Sequence, residues 1–470
     1  MNTNTKKRRF IVPIVAVLCV AAVLAGFLSG CNNLAGPGGS DDTTALPPAE
    51  DTGLTIRIYQ PNAGQAALWQ ELAADYRNLT GVSVDVKSPE GGEPGNELKD
   101  MLKADAGAPG IFVFTNPREY GMWKEYAEPL SDTQAYQHLI DTRMALTADG
   151  KVVALPLSVE PFGIIYNKKI LANYFALENK DTSYEAVSDI TTYRQLTRLA
   201  EDMNDLKDEL KIDGVFAAPA LKEGESAVWT TRLMSVPLGH EIAGRKTELT
   251  GETLDELTIR YANGYRSLHD LMLNNGTTRR YLDERSYADA VKEFATGKAA
   301  MIPGGSEFLG HLNSAVGQTV SADEIAFLPA FMDIEDVPTQ GLAFDVTGYL
   351  AINGKLSEEE RKAAGEFLNW LFTSERGMDF LATKLNVLAP YDTETEESLP
   401  RNPLIADAFA WLKKSEAGNV LTWSSLTPGE EFRDKVFGKG LLAYSTGKTD
   451  WEDFKSDLRE GWGKLRGKME

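Results

Sequence analysis

Apolar and polar positions alternate in two registers along residues 54–465, one of period two and one of helical period. Leu54 to Tyr59 alternates apolar and polar residues and predicts a strand. Ala66 to Leu79 places Leu68, Leu72 and Tyr76 on one helical face. A second alternating run covers Val82 to Val86, Leu98 to Ala104 is helical, and Ile111 to Phe114 is a short, fully apolar strand. A fully apolar strand belongs in a sheet covered on both faces. Strand–helix–strand–helix–strand predicts an α/β sheet.

The alternation returns further along the chain. Strands are predicted at 152–155, 163–166, 215–218, 299–302, 325–328 and 348–352. Helices are predicted at 192–206, 287–294, 357–372, 403–414, 432–445 and 451–465. Thr191 or Thr192 opens the helix at 192. Ser357 caps its helix, and Glu358 to Glu360 complement the positive end. Trp370 and Trp411 lie within amphipathic helices and are expected in the core. No short-period repeat is visible.

The N-terminus follows a different rule. Lys6, Lys7, Arg8 and Arg9 precede an apolar run from Phe10 to Phe27, and Leu28-Ser29-Gly30-Cys31 follows. Charge, then apolar core, then small residues is the order of an export signal. The last four residues resemble a bacterial lipobox. That resemblance implies that residues 1–30 are removed and that Cys31 is acylated, as by palmitate, to become the mature N-terminus. The alternative is an uncleaved membrane anchor, since the run almost spans a bilayer. Either way the remaining chain lies on the same side of the membrane. Residues 31–53, rich in Gly, Pro, Ser, Thr and Asp, read as a flexible tether.

Charge narrows the partners. The chain has 48 basic and 69 acidic residues, a net charge of −21. Removal of residues 1–30, with four basic and no acidic side chains, leaves −25. Such a surface repels nucleic acid and anionic lipid, and no basic cluster is interleaved with aromatics. The only cysteines are Cys19 and Cys31, so disulfides are not expected in the mature domain. Its stability must come from a core, and 440 residues are ample for two domains.

Three segments carry a family resemblance: Leu155 to Lys168 (LPLSVEPFGIIYNK), Ala290 to Ile302 (AVKEFATGKAAMI) and Ala363 to Glu375 (AAGEFLNWLFTSE). In order and spacing they resemble the extracellular solute-binding proteins of ABC importers, especially the maltodextrin- and oligosaccharide-binding group. One departure is that Pro109 precedes Gly110 where the family often has Asp. The resemblance implies an α/β, two-lobed periplasmic-binding-protein-like fold of class II, with a cleft between lobes joined by hinge strands. Lobe one takes 54–157 plus 328–378, and lobe two 158–327 plus 379–470. It also implies a monomer that closes on a carbohydrate and delivers it to a separate ABC permease at the extracytoplasmic face of the bacterial membrane.

A neutral sugar offers hydroxyls at its edge and an apolar C–H face, so its site needs hydrogen-bonding side chains and aromatic platforms. Gln60 and Asn62 follow the first strand and read equally as a polar turn. Thr115 and Asn116 follow the buried third strand and read equally as helix caps. Glu160 matches a family position that contacts sugar, against a solvated hinge carboxylate. Phe162 could line the cleft or pack in the hinge. Trp229 and Trp423 resemble the family's loop aromatics and are expected as stacking platforms, with a place in the core as the alternative. Ser306 and Glu307 stand where the family often has Trp, and capping is their rival role. Gly341-Leu342-Ala343-Phe344 matches a family loop near the ligand.

Catalysis has little support in the residues. His138, His240, His269 and His311 are scattered, and no metal or cofactor is expected. No Gly-x-Ser-x-Gly elbow is present. Two alternatives remain open at this stage. One is a ligand sensor for a membrane kinase. The other is a secreted carbohydrate hydrolase, for which Glu160 and Glu307 are the nameable acids.

Overall fold

The computed structural model describes residues 49–89, 94–104, 107–245, 257–414 and 418–466. The export signal, Cys31 and most of the tether lie outside the described residues. The strands are β1 (Thr55–Tyr59), β2 (Ser83–Lys87), β3 (Ile111–Phe114), β4 (Leu146–Ala148), β5 (Lys151–Pro156), β6 (Val159–Asn167), β7 (Gly214–Phe216), β8 (Ala299–Gly305), β9 (Ile325–Leu328), β10 (Ala343–Val346), β11 (Tyr349–Ile352) and β12 (Val420–Thr422).

Two mixed sheets form, in the orders β2-β1-β3-β11-β5-β4 and β12-β10-β6-β8-β7, with β9 also paired to β6. Each is the core of one lobe, as the family resemblance implies, and is built of the short strands and helices that the alternation predicts. β3 is fully buried, parallel to β1 and antiparallel to β11. Trp123 covers it, 5.0 Å from Phe112 and 4.4 Å from Phe114 between ring centroids. On helix Ala66–Thr80, Tyr76 meets Phe367 and Trp370 of helix Glu358–Thr373 at 5.0 and 4.9 Å. That second helix begins with the expected cap: Ser357 Oγ accepts from Glu360 N, and Glu360 Oε2 accepts from Ser357 N. Trp370 and Trp411 are half-buried against the core.

The chain passes between sheets across Leu157–Ser158 and returns across Thr347–Gly348. Residues 343–346, expected with lobe one, pair instead with β6 in the second sheet. Residues 379–391, expected with lobe two, lie against lobe one: Phe380 packs on Trp69, Lys384 pairs with Glu71 at 2.7 Å, and Tyr391 stacks on Phe372. Short apolar runs carry no mark of which sheet they join, and the ladder register decides it.

Helix Leu233–Arg245 was not legible, because Pro237 lies inside it. Its Gly239 is required by close approach: a Cβ there would stand 2.3 Å from the Leu421 carbonyl oxygen of β12. Among the described residues no helix is long and apolar enough to cross a membrane.

Candidate functional site between the lobes

Register brings several strand ends to the crossings. Tyr349, the first residue of β11, pairs with Phe114, the last of β3. Glu160 near the start of β6 pairs with Asp345 near the end of β10, and Phe162 pairs with Gly305 at the end of β8. Thr115 and Asn116 of lobe one, and Glu160, Ser306 and Glu307 of lobe two, therefore all lie at the hinge ends of their strands. Loops at strand ends are where open α/β sheets bind ligands.

Lobe two contributes a charged cluster. Residues Val228–Arg232 form a π-helical turn, which shifts the helical phase and sets Arg232 over the Phe162 ring at 5.3 Å. Arg232 Nη2 lies 3.9 Å from Glu307 Oε1 and has no hydrogen-bond partner, although it is buried. Gly305 makes room: a Cβ there would stand 2.2 Å from Glu307 Oε2 and 2.9 Å from Arg232 Nη2. Burial pushes the Glu160 carboxyl above its ordinary range, Glu307 and Asp345 push it further, and Arg232 opposes them. Tyr287 is raised by burial and by Glu307, and its buried hydroxyl has no hydrogen-bond partner. The cluster can thus offer carboxylate acceptors, guanidinium donors and a phenol to one polar molecule.

Lobe one contributes polar side chains already used in turns. Gln60 is buried, bonded to Ser88 Oγ through Nε2 and accepting from Asn62 N at 3.0 Å. Asn62, exposed, accepts from Gly64 N. Thr115 is exposed. Asn116 accepts from Arg118 N in a capping box with Glu119, and its Nδ2 donates to Ser425 O of lobe two at 3.4 Å.

Not every expected residue is presented as expected. Trp229 is 0% exposed, packed edge-on to Tyr287 at 6.0 Å, and Trp423 is 9% exposed with Nε1 donating to Tyr349 Oη at 2.7 Å. Neither shows an open ring face for stacking: Trp229 lies within the Val228–Arg232 turn, and Trp423 stands between β12 and the next short helix. Ser306 is buried, and its carbonyl accepts from Asn402 Nδ2 at 2.9 Å. Gly341 lies beyond the other end of β10, away from Asp345, and donates its N–H to Gly418 O at 2.9 Å.

The residues that sequence reasoning missed are Arg232, Asp345, Tyr287 and Ser424. Asp345 had a signal, a lone carboxylate in an apolar strand. It is buried, and accepts from Ser424 N at 2.7 Å and from the Ser424 hydroxyl. Arg232 had none, because its position depends on the π turn.

Several solved structures share this arrangement. The chain is similar to the receptor AcbH, at 13% identity over 88% of this chain and 98% of that one, TM-score 0.64. It is similar to apo RafE from Streptococcus pneumoniae, at 14% identity over 90% and 100%, TM-score 0.60. It is similar to the cyclic α-maltosyl-1,6-maltose binding protein from Arthrobacter globiformis, at 14% identity over 88% and 99%, TM-score 0.55. These likenesses define the class as the two-lobed binding-protein fold.

The family profile described as bacterial extracellular solute-binding protein matches residues 71–407, and the chain belongs to that family. It is accordingly a non-enzymatic, extracellular substrate-binding protein of ABC transport. The hydrolase alternative is set aside on that ground. No curated protein matches the chain.

Proposed function

We propose that this protein is a lipid-anchored binding subunit, held by acylated Cys31, that takes a sugar or oligosaccharide by hinge closure and delivers it to an ABC permease. The observation that carries this reading is the Glu160–Arg232–Glu307 cluster over Phe162, set at the hinge end of lobe two. Charged groups make the stronger hydrogen bonds to hydroxyls. Gln60, Asn62, Thr115, Asn116 and Ser306 are the further candidates around it, and Trp229 and Trp423 would need to move to serve as platforms. Three structural relatives support the ligand class by their own ligands. AcbH prefers β-D-galactopyranose, RafE has been captured with raffinose, and the Arthrobacter protein binds cyclic α-maltosyl-1,6-maltose.

The test is thermal unfolding of a soluble chain beginning at Asp51 against mono- and oligosaccharides. A ligand at about 100 times its Kd adds about 2.7 kcal/mol. A melting shift with one sugar class, lost in Glu160→Ala, is the expected result. No shift across the panel overturns the sugar assignment. Loss of membrane retention and of radiolabelled palmitate in Cys31→Ser tests the anchor.

A further inference from the structure

Thr422 to Ser425 reaches both sides of the second crossing between the lobes. Before the crossing, Asp345 accepts from Ser424 N at 2.7 Å, from the Ser424 hydroxyl, and from Thr422 Oγ1 at 3.4 Å. After the crossing, Trp423 Nε1 donates to Tyr349 Oη at 2.7 Å. Tyr349 is fully buried and stacks on Phe114 of β3, centroids 5.3 Å apart and planes 17° apart. The crossing itself is short. Thr347 N donates to Ser158 O at 3.1 Å, Leu157 N donates to Gly348 O at 2.8 Å, and the Ser158 and Thr347 hydroxyls meet at 2.8 Å.

A rotation of the lobes about Thr347–Gly348 moves Tyr349 with the first sheet and Asp345 with the second. Trp423 and Ser424 are neighbours in sequence and grip one each. Rotation must therefore strain the Trp423–Tyr349 bond or the Ser424–Asp345 bonds, or turn the backbone and side-chain torsions between them. A buried hydrogen bond is directional and weakens steeply when bent. Hinge closure is set by contacts that differ between the two lobe angles.

We infer that Thr422–Ser425 is a clasp across the hinge, and that Trp423 is a positioning residue that sets the angle between the lobes through Tyr349. This rests on the closure part of the proposed function and not on the identity of the ligand. It assigns the tryptophan to the hinge rather than to a sugar face.

The test uses Trp423→Phe and Tyr349→Phe, which keep a ring and delete one partner of the bond, with Ser424→Ala as a third variant should either fold poorly. The chain from Asp51 contains no cysteine. Leu79→Cys in lobe one and Val316→Cys in lobe two, both at exposed positions, can therefore carry spin labels for an inter-lobe distance distribution. No ligand is needed. Both variants are expected to change that distribution alike, and the double variant to add nothing further. Amide exchange at Thr347 and Leu157, the two donors across the crossing, is expected to rise about fivefold in each, the loss of one net hydrogen bond. Unchanged distributions in all three variants, with the fold intact, overturn the clasp. So does a change in Trp423→Phe that Tyr349→Phe fails to reproduce, which would return the tryptophan to a contact of its own. Failure of the sugar panel sinks the ligand assignment and leaves this result standing.

Discussion

The two edges of the inter-lobe site spend their polar side chains differently. On lobe one, Gln60 and Asn62 hold the turn after β1, and Asn116 closes a capping box. On lobe two, Glu160 and Glu307 lie beside one arginine whose buried Nη2 has no hydrogen-bond partner, and the cluster keeps interaction capacity in reserve. A side chain that satisfies its own backbone rigidifies a loop, whereas an unsatisfied buried group is stabilised by whatever completes it. Lobe two is thus suited to anchoring a ligand, and lobe one to presenting a rigid edge that closes on it.

Acid should separate the lobes most strongly. His240 and His269, both on lobe two, are held down to about 4 by burial against an ordinary value of 6.5. Their folded state binds fewer protons than the unfolded chain, so their contribution is complete above pH 6.5 and is lost as pH falls towards 4. Each is worth on the order of 3 kcal/mol. Melting temperature should fall steeply over that window, and His269→Phe should flatten the fall. An unchanged slope in that variant would break the assignment of acid sensitivity to lobe two.

Arg232→Ala comes next. It removes the guanidinium that lies over Phe162 and beside Glu307, and leaves the repulsion between Glu160 and Glu307 unopposed by it. Because the side chain is a quarter exposed, screening reduces the expected loss to about 1–3 kcal/mol. Glu160→Gln should act in the opposite direction. A carboxyl raised by burial binds its proton more tightly when folded, so its stabilisation is full at low pH and lost as pH rises through its folded value. The glutamine variant should melt higher than wild type at pH 8, with the gap closing at pH 4. Equal gaps at both pH values would remove Glu160 from the cluster's electrostatics. Gly305→Ala should cost about 1–3 kcal/mol, since its Cβ meets Glu307, Arg232 and the Pro161 carbonyl within 2.9 Å. Thermal melts of these variants rank the effects.

These differences explain what could be read in advance. The strands were legible because alternation and buried apolar runs declare them regardless of partner, as at Leu54–Tyr59 and Ile111–Phe114, whereas their division between two sheets came from the family resemblance. The lobe boundaries near 328 and 379 were not, because β10 joins the second sheet by register and Tyr391 joins lobe one by stacking on Phe372. Glu160, Phe162 and Glu307 could be named from position, and the structure brings them together. Arg232 could not, since a π turn in Val228–Arg232 leaves no compositional trace. Trp229 and Trp423, expected as platforms with the core as the alternative, are both buried, because a tryptophan after a loop looks the same in sequence whether it faces a ligand or apolar neighbours.

The smallest effect tests the other half of the comparison. Asn116→Ala removes a cap worth about 1 kcal/mol and the 3.4 Å bond to Ser425. If lobe one's edge is chiefly a rigid surface, Asn116→Asp, which keeps the cap acceptor but loses the Nδ2 donor, should restore the melting temperature. A variant that recovers stability but not ligand affinity would show that Asn116 also reaches the ligand or Ser425 when the lobes close. The division of labour between the edges would then be one of degree, with lobe one supplying a closing contact as well as a frame.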